Sequence, residues 1–183
     1  MSVPDRSPLI QTSIIGKPGA GKTTQAKLLS STLDVKHVSS GDLVRAHANA
    51  QTNAELAIGH MDPDESKVRK LVRDAIYGFD QYVLDGFPRM VDQMETFNIP
   101  INFVIHLTVP DHICMQRLLD RARPDDTKGV IEERLKLYSM KTFPVVNYFT
   151  KVGIPVFNID GFQTIGHVWA AILNHIDDLQ AKQ

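Results

Sequence analysis

The chain has 183 residues, of which 43% are hydrophobic and 22% are charged, and its formal net charge is −1. This is the ordinary composition of a globular domain, so disordered, collagen-like and low-complexity proteins are excluded. With 20 basic and 21 acidic residues, no overall field attracts the chain to nucleic acid or to a membrane surface. The single cysteine excludes an internal disulfide and a zinc site of several thiolates, and the 7 histidines show no metal-ligand spacing.

No segment of the chain reads as a membrane span or a leader. The longest apolar stretch, Phe103–Val109, is far shorter than the roughly 20 residues that cross a bilayer. Residues 1–11 lack the hydrophobic run of a signal peptide. We therefore expect a soluble, cytoplasmic protein folded as a single domain over residues 1–183.

Strand-like and helix-like segments alternate along the sequence. Short runs of β-branched or apolar residues predict five strands. In chain order these are Leu9–Ile15, Val35–Val38, Tyr82–Leu84, Phe103–Val109 and Pro155–Ile159. The alternation predicts an α/β fold of three layers, with a central five-stranded parallel sheet covered by helices on both faces.

Apolar residues at helical spacing predict the helices between and after these strands. The clearest stripes lie in Glu65–Tyr77, in Ile131–Phe149 and in Ile165–Leu179. Pro144 lies inside the second stripe, where it predicts a kink or a break. Two polar segments fit neither the strand nor the helix pattern: Arg45–Pro63 and Arg121–Gly129. We interpret them as insertions that leave the sheet at its carboxyl edge, where open parallel sheets bind ligands.

The first predicted strand runs into Gly16-Lys17-Pro18-Gly19-Ala20-Gly21-Lys22-Thr23, which matches G-x-x-x-x-G-K-[ST] in full. Glycines in such a loop let backbone N–H groups surround phosphate oxygens, and the helix that follows directs its positive end at them. Lys22 would reach the β- and γ-phosphates, and the Thr23 hydroxyl would coordinate Mg²⁺. The alternative is a glycine-rich turn with a solvated lysine, but a strand before the loop and a helix after it favour phosphate binding.

Two further segments at strand ends could bind an anion. Asp85 ends the third predicted strand, where it could hold Mg²⁺ through water, and Arg89 offers a bidentate fork to a phosphate. Taken alone, this segment is equally compatible with a tight turn that carries a surface arginine. Ser40 and Arg45 follow the second predicted strand and could hold an anion from the opposite side, although Ser40 could also cap a helix.

A cluster of arginines lies near the second of these insertions. Arg117 and Arg121 are four residues apart and share one face of a predicted helix. Arginine suits phosphoryl transfer because it stays charged and binds phosphate oxygens bidentately. The alternative is a solvated helix end whose Arg–Asp pairs each contribute ~0–1 kcal/mol, but the phosphate loop favours a functional cluster. Its members are Arg117, Arg121, Arg123 and Arg134.

Taken together, these segments resemble the adenylate kinase family. The resemblance is carried by 16–24, by 40–45, by 85–89 with Gln93, and by 123–126 followed by Arg134, Leu135 and Tyr138. It touches almost the whole chain and implies a P-loop fold with two mobile arms. It also implies reversible, Mg²⁺-dependent transfer of the γ-phosphoryl group of ATP to AMP, giving two ADP. The implied partners are these nucleotides. We expect no nucleic acid and no membrane as partners, and a monomer as the state of the protein.

The resemblance also assigns residues. For AMP it implies Ser40, Arg45, Gly86, Arg89 and Gln93. Gln93 would read adenine, because its amide can both accept from the exocyclic amine and donate to a ring nitrogen. Serine stands at position 40 where the family has threonine, and it keeps the hydroxyl.

For ATP the resemblance implies the phosphate loop, Arg117 near the base and the turn after the last strand. These residues are Gly16, Gly19, Ala20, Gly21, Lys22, Thr23, Thr24, Arg117 and Gly161. The implied catalytic residues are Lys22, Arg89, Arg121, Arg123 and Arg134. Thr23 and Asp85 would hold the metal, the latter through water, while Asp125 and Asp126 would orient the arginines.

Both implied arms are short. Only Ala122 separates Arg121 from Arg123, whereas the family places several more residues between these arginines. We therefore expect a short arm for the nucleoside monophosphate at about 40–64 and a minimal lid at about 121–129. Both would exclude water less completely, and the first would enclose the acceptor base less completely.

Three other functions remain open from the sequence. A UMP/CMP or broad-specificity kinase is disfavoured by Ser40 and Gln93. A nucleotide-binding regulatory protein without catalysis is disfavoured because Lys22 and the arginines are retained. Phosphorylation of a non-nucleotide or of a nucleic-acid end is made less attractive by the neutral overall charge.

Overall fold

The computed structural model describes residues 9–48, 65–96 and 98–181. Its strands are β1 (Gln11–Gly16), β2 (Lys36–Ser39), β3 (Tyr82–Asp85), β4 (Phe103–Thr108) and β5 (Val156–Asp160). They form one parallel sheet in the order β2-β3-β1-β4-β5. The predicted five-stranded parallel sheet is confirmed, and the chain reverses its direction of winding at β1, where open sheets bind ligands.

The helices surround this sheet. They are α1 (Lys22–Leu33), α2 (Ser40–Ala46), α3 (Glu65–Ile76), α4 (Val91–Thr96), α5 (Asp111–Arg121), α6 (Lys128–Leu137), α7 (Phe143–Lys151) and α8 (Ile165–Ala181). A π-helical turn, Tyr138–Thr142, joins α6 to α7. The break predicted from Pro144 is confirmed, because Pro144 lies in the first turn of α7, where a helix needs no backbone N–H.

Two separate apolar cores confirm the three layers. Neighbouring strand residues face opposite sides of a sheet, and here Ile14 packs into one core while Ile15 packs into the other. The first core receives side chains from α1, α5, α6 and α8, and the second receives them from α2, α3, α7 and the π-helical turn. The sheet is therefore covered on both faces, which leaves its carboxyl edge as the accessible side.

Buried hydrogen bonds hold the loops of that edge. Ser13, fully buried in β1, donates its hydroxyl to the Phe87 carbonyl at 2.6 Å and so fixes the loop after β3. A cis peptide bond joins Phe87 to Pro88 in this loop. No helix among the described residues is long and apolar enough to cross a membrane.

The two expected arms are described to different extents. Of the arm expected at 40–64, only 40–48 lies within the described residues. The expected lid is described in full: α5 ends at Arg121, Ala122 adopts a left-handed backbone conformation, and α6 begins at Lys128. The segment between these helices is thus reduced to 122–127.

Candidate active site

One cavity of about 1040 Å³ opens at the carboxyl edge of the sheet. Sites for single small molecules usually occupy about 300–1000 Å³, so this volume is large for one nucleotide. Every residue that the sequence assigned to the site lines it. They are Gly16, Gly19, Ala20, Gly21, Lys22, Thr23, Thr24, Ser40, Arg45, Asp85, Gly86, Arg89, Gln93, Arg117, Arg121, Arg123, Arg134 and Gly161.

The phosphate loop connects β1 to α1 and is tightly packed on its outer side. Gly19 has a φ of +83°, and a Cβ there would lie 2.6 Å from the Cys114 carbonyl oxygen, so both conformation and space require glycine. Gly21 caps α1 without a side-chain hydrogen bond. The first N–H groups of this helix are therefore left to an anion at the floor of the cavity.

Lys22 holds its ammonium group over this loop. Its Nζ donates to the Gly16 and Lys17 carbonyls, both at 2.8 Å. Burial lowers the Lys22 pKa to about 8, and the charges of Arg89 and Arg121 act in the same direction, while Asp85 opposes them. The result is a desolvated cation that a phosphate would stabilise.

Asp85, at the end of β3, faces the phosphate loop. Its Oδ2 accepts the Thr23 hydroxyl at 2.6 Å, and His37 Nε2 lies 3.6 Å from the same oxygen. Burial alone raises the Asp85 pKa, but the nearby His37 side chain, the charge of Lys22 and the hydrogen bond from Thr23 together hold it below its usual value. The carboxyl group is therefore ionised at neutral pH.

A hydroxyl beside an ionised carboxylate fits Mg²⁺, which takes oxygen ligands. Among the described residues, no group of three His, Cys, Asp or Glu side chains could hold a metal ion. Thr23 and Asp85 would thus supply only part of a coordination shell. Substrate phosphates and water would complete it, which is the usual pattern for Mg²⁺ at phosphoryl-transfer sites.

The second candidate anion-binding set also lines the cavity. Ser40 Oγ donates to the Gly86 carbonyl at 2.8 Å, and Arg89 Nε donates to the same carbonyl at 2.6 Å. Arg89 Nη2 also lies 3.2 Å from Ser40 Oγ. Burial lowers the Arg89 pKa to about 10. The charge of Asp85 opposes this shift, and the charges of Arg45 and Arg134 add to it. The guanidinium is thus fixed in place and surrounded by other cations.

Gln93 and Arg45 complete this set. Gln93 Oε1 accepts the Arg89 backbone N–H at 2.7 Å, so its oxygen is already engaged and its amide nitrogen remains to donate. The sequence predicted that this oxygen would accept from the exocyclic amine of adenine. It would therefore have to accept from that amine and from the Arg89 backbone together. Arg45 pairs with Asp42 on the exposed side of α2.

One buried carboxylate organises segment 122–127, which was expected to form the lid. The Asp126 side chain is fully buried and accepts from Arg121 Nε at 2.8 Å and Nη2 at 2.7 Å. It also accepts from Arg134 Nη1 at 3.3 Å and from the Arg123 backbone N–H at 3.3 Å. Asp125 makes a further ion pair with Arg134. Both aspartates therefore hold arginines, as the resemblance implied.

Arg123 differs from the other two lid arginines. Its guanidinium makes no ion pair within the ranges that the structure describes. Burial lowers the Arg123 pKa, and the charges of Arg121 and Arg45 lower it further. The charges of Asp42 and Asp126 act in the opposite direction. Arg123 is thus a cation of the cavity wall without a fixed carboxylate.

Arg117 joins the phosphate loop to the turn after β5. Both of its terminal nitrogens donate to the Gly161 carbonyl at 3.1 Å, and Nη1 lies 3.4 Å from the Gly19 carbonyl. A Cβ at Gly161 would lie 2.7 Å from Val109 Cγ2, so this turn has no room for a side chain. In the structure the Arg117 guanidinium thus bonds to backbone at the position expected to border the ATP base.

Several lining residues were not found by sequence reasoning. Val44, Val68 and Met90 form an apolar wall, and the π-helical turn contributes Tyr138, Lys141 and Thr142. Val68 belongs to an apolar stripe that is typical of ordinary core, and nothing in the sequence distinguishes the face that borders a ligand. Near the π-helical turn the sequence signals were Tyr138, through the family resemblance, and the proline break; such turns are frequent at functional sites.

His37 was also missed, because the spacing of the histidines in the sequence indicates no site. It lies two residues before Ser39 and therefore faces the same side of β2. Ser39 pairs with Asp85 in the sheet, so His37 approaches the carboxylate only because β2 and β3 are neighbours. Sequence spacing alone contains no sign of that pairing.

Comparison with known proteins identifies the family. The sequence model of the adenylate kinase family matches residues 14–154, which include both anion-binding sets and the arginine cluster. The chain belongs to the adenylate kinase family. It is accordingly an adenylate kinase-like phosphotransferase of the nucleoside monophosphate kinase type.

Curated relatives named adenylate kinase cover most of the chain. The one from Cyanothece sp. is 36% identical over 190 aligned positions, which cover 93% of this chain and 96% of the relative. The one from Prochlorococcus marinus is 40% identical over 159 positions, covering 78% and 84%. The one from Encephalitozoon cuniculi is 31% identical over 172 positions, covering 90% and 96%.

Asp126→Asn is expected to reduce kcat on the order of 10²-fold, because misplacing catalytic groups by about 1 Å can cost that much. Asparagine keeps the shape but has no charge with which to hold two guanidinium groups. ATP affinity should fall much less, because the phosphate loop is untouched. Steady-state kinetics and ATP titration check both statements.

Asp120→Asn is the matched control, since Asp120 lies on α5 and contacts only exposed Gln116 among the described residues. It should leave kcat unchanged. An Asp126→Asn enzyme with normal kcat and a lowered melting temperature would show that the carboxylate serves stability alone.

Lys22→Met is expected to stabilise the nucleotide-free fold near pH 7 while abolishing phosphoryl transfer, because it removes a desolvated cation. The Lys22 pKa falls from 10.5 to about 8 on folding. Between these values the unfolded chain holds more protons, so the wild-type free energy of unfolding should rise with pH. The advantage of the variant should therefore shrink between about pH 8 and pH 10.

Urea unfolding of both proteins across this pH range measures the difference. Lys27→Met, an exposed lysine of the same helix, should change stability little at either pH. A Lys22→Met protein that is less stable than wild type near pH 7 contradicts the prediction, because the bonds to the Gly16 and Lys17 carbonyls would then outweigh desolvation.

Proposed function

We propose that the protein catalyses reversible, Mg²⁺-dependent transfer of the γ-phosphoryl group of ATP to AMP, giving two ADP. The observation that carries the proposal is that one cavity is lined by the phosphate loop, by the group around Ser40 and Arg89, and by arginines of the cluster. The loop and the group around Arg89 would each bind the phosphates of one nucleotide. Two nucleotides bound there would have their phosphates meet inside a single cavity.

The donor half would hold ATP by its phosphates. Backbone N–H groups of the loop and the Lys22 ammonium would bind the β- and γ-phosphate oxygens. Arg117 and the turn at Gly161 would border the base. Mg²⁺, held by Thr23 and through water by Asp85, would supply neutralisation of phosphate charge when bound.

The acceptor half would hold AMP. Arg89 and Arg45 would bind its phosphate, Gln93 would donate to a ring nitrogen of adenine, and Val44 and Val68 would cover the base. Ser40 and Gly86 support Arg89 through the hydrogen bonds described above. The apolar wall and the single amide donor favour adenine.

The reaction needs no general base, because the AMP phosphate is already an anionic nucleophile. One of its oxygens would form a bond to the γ-phosphorus as the bond between that phosphorus and the β–γ bridging oxygen breaks. Charge spreads over the transferred group, so Arg121, Arg123 and Arg134 would stabilise it electrostatically. A single arginine can contribute ~10³–10⁵ in rate in related chemistry.

We also propose one catalytic domain over residues 1–183 that acts as a monomer, with a short acceptor arm at about 40–64 and a lid at about 121–129. The lid segment 122–127 is long enough to carry Arg123 and the two aspartates but little else. Exclusion of water would therefore depend on the arginines and on the nucleotides themselves.

A steady-state panel of acceptors tests the function. With ATP and Mg²⁺, AMP should give ADP at a rate well above those with UMP, CMP or GMP. Comparable rates with UMP or CMP would reject AMP as the preferred acceptor. Tight ATP binding without ADP formation from any acceptor would support a regulatory protein instead. ATP without an acceptor gives the hydrolysis background, which the short lid predicts to be measurable.

Arg89→Ala should weaken acceptor use far more than ATP binding, because Arg89 lies on the acceptor side and is anchored to Gly86. We expect kcat/KM for AMP to fall on the order of 10²–10³-fold, the scale for loss of one charge-stabilising donor. Arg89→Lys should recover only part of this, since lysine keeps the charge and loses the bidentate fork. Equal losses for AMP and ATP contradict the assignment.

A further inference from the structure

Lys17, the second residue of the phosphate loop, has no role in the function proposed above. It does not belong to the cavity lining. Its ammonium group lies on the outer side of the loop, where Nζ donates to the Val109 carbonyl at 3.1 Å and pairs with Asp111. Asp111 is the first residue of α5. The side chain therefore ties the loop to the junction between β4 and α5.

The backbone of Lys17 faces the other way. Its carbonyl accepts from Lys22 Nζ at 2.8 Å and from the Ala20 backbone N–H at 3.1 Å. An ammonium group has three N–H donors. In Lys22 two of them are directed at the Gly16 and Lys17 carbonyls, which leaves one for a phosphate oxygen. The direction of that remaining donor depends on where the Lys17 carbonyl lies.

α5 supports the same part of the loop at two further points. The Cys114 backbone leaves no space for a side chain at Gly19, and Arg117 Nη1 approaches the Gly19 carbonyl at 3.4 Å. The outer side of the loop thus rests on the first two turns of a helix that begins directly after a central strand. Lys17 is the only loop residue in the described chain that bonds to this support through its side chain and to Lys22 through its carbonyl.

The pair itself is only partly buried, with 27% of the Lys17 side chain and 64% of the Asp111 side chain exposed. Exposed ion pairs contribute little to overall stability. Any larger effect of the pair on nucleotide binding would therefore come from the loop conformation that it fixes. A loop that is already ordered loses less conformational entropy when the nucleotide binds.

We propose that Lys17 is a positioning residue for the donor nucleotide. Its bonds to Val109 and Asp111 fix the Lys17 carbonyl, and that carbonyl directs the third N–H of Lys22 toward the phosphate. The inference rests on the proposed function in so far as the donor is ATP. It predicts that breaking the outer bonds weakens the binding of ATP and not of AMP.

The test is a set of calorimetric titrations with ATP plus Mg²⁺ and, separately, with AMP. Lys17→Met keeps the length of the side chain and removes the charge and the donors. We expect its Kd for ATP to rise about 5- to 20-fold, with KM for ATP following, and its Kd for AMP to stay within about twofold of wild type. Lys17→Arg, which keeps a cation able to donate to both partners, should recover most of the loss.

Asp111→Asn tests the contact from the other side. It should weaken ATP binding in the same direction but less, because the Val109 carbonyl remains. The double variant should bind ATP no more weakly than Lys17→Met alone, since both changes break one contact. Lys27→Met removes the same charge from α1 outside the cavity and should change neither affinity.

Two results overturn the proposal. If Asp111→Asn binds ATP normally while Lys17→Met does not, Lys17 acts on the nucleotide by its own charge. If Lys17→Met weakens ATP and AMP equally, the effect is a general loss of structure, which a lowered melting temperature would accompany. Failure of the proposed function is seen separately, as absence of ADP formation by the wild-type protein, and leaves the affinity comparison intact.

Discussion

The cavity depends on keeping several cations close together in a partly buried space. Burial lowers the pKa of Lys22 to about 8 and that of Arg89 to about 10, and neighbouring arginines contribute to both shifts. Such an arrangement of cations costs folding free energy. Phosphate groups would offset this cost, so the same feature would favour their binding.

The chain limits this repulsion with fixed carboxylates. Asp126 holds Arg121 and Arg134, and Asp85 accepts the Thr23 hydroxyl and interacts electrostatically with Lys22. Arg123 lacks a carboxylate partner within the described ranges, and Arg89 bonds to a carbonyl and a hydroxyl instead. Within the described part of the chain, Arg121 and Arg134 are therefore paired with a carboxylate, whereas Arg89 and Arg123 are not. The two aspartates of segment 122–127 thus orient arginines on the helices at its two ends, α5 and α6.

Much of the fold and of the candidate site follows from sequence because both depend on local patterns. The glycine and lysine positions of the phosphate loop are set by a single turn between β1 and α1, and Asp85 and Ser40 lie where strands end. The contacts of Lys17 and His37 could not be predicted in this way. Lys17 meets Val109 and Asp111 only after β4 has been placed beside β1, and His37 meets Asp85 only after β2 has been placed beside β3.

If one cavity receives donor and acceptor together, their phosphates meet between Lys22 and Arg89. A bisubstrate analogue that joins two adenosines through a chain of phosphates tests this arrangement, by calorimetry and by a structure of the complex. One analogue should bind per chain, be displaced by ATP and by AMP, and contact both Lys22 and Arg89 with its phosphates. Two analogues per chain, or displacement by ATP alone, would contradict it.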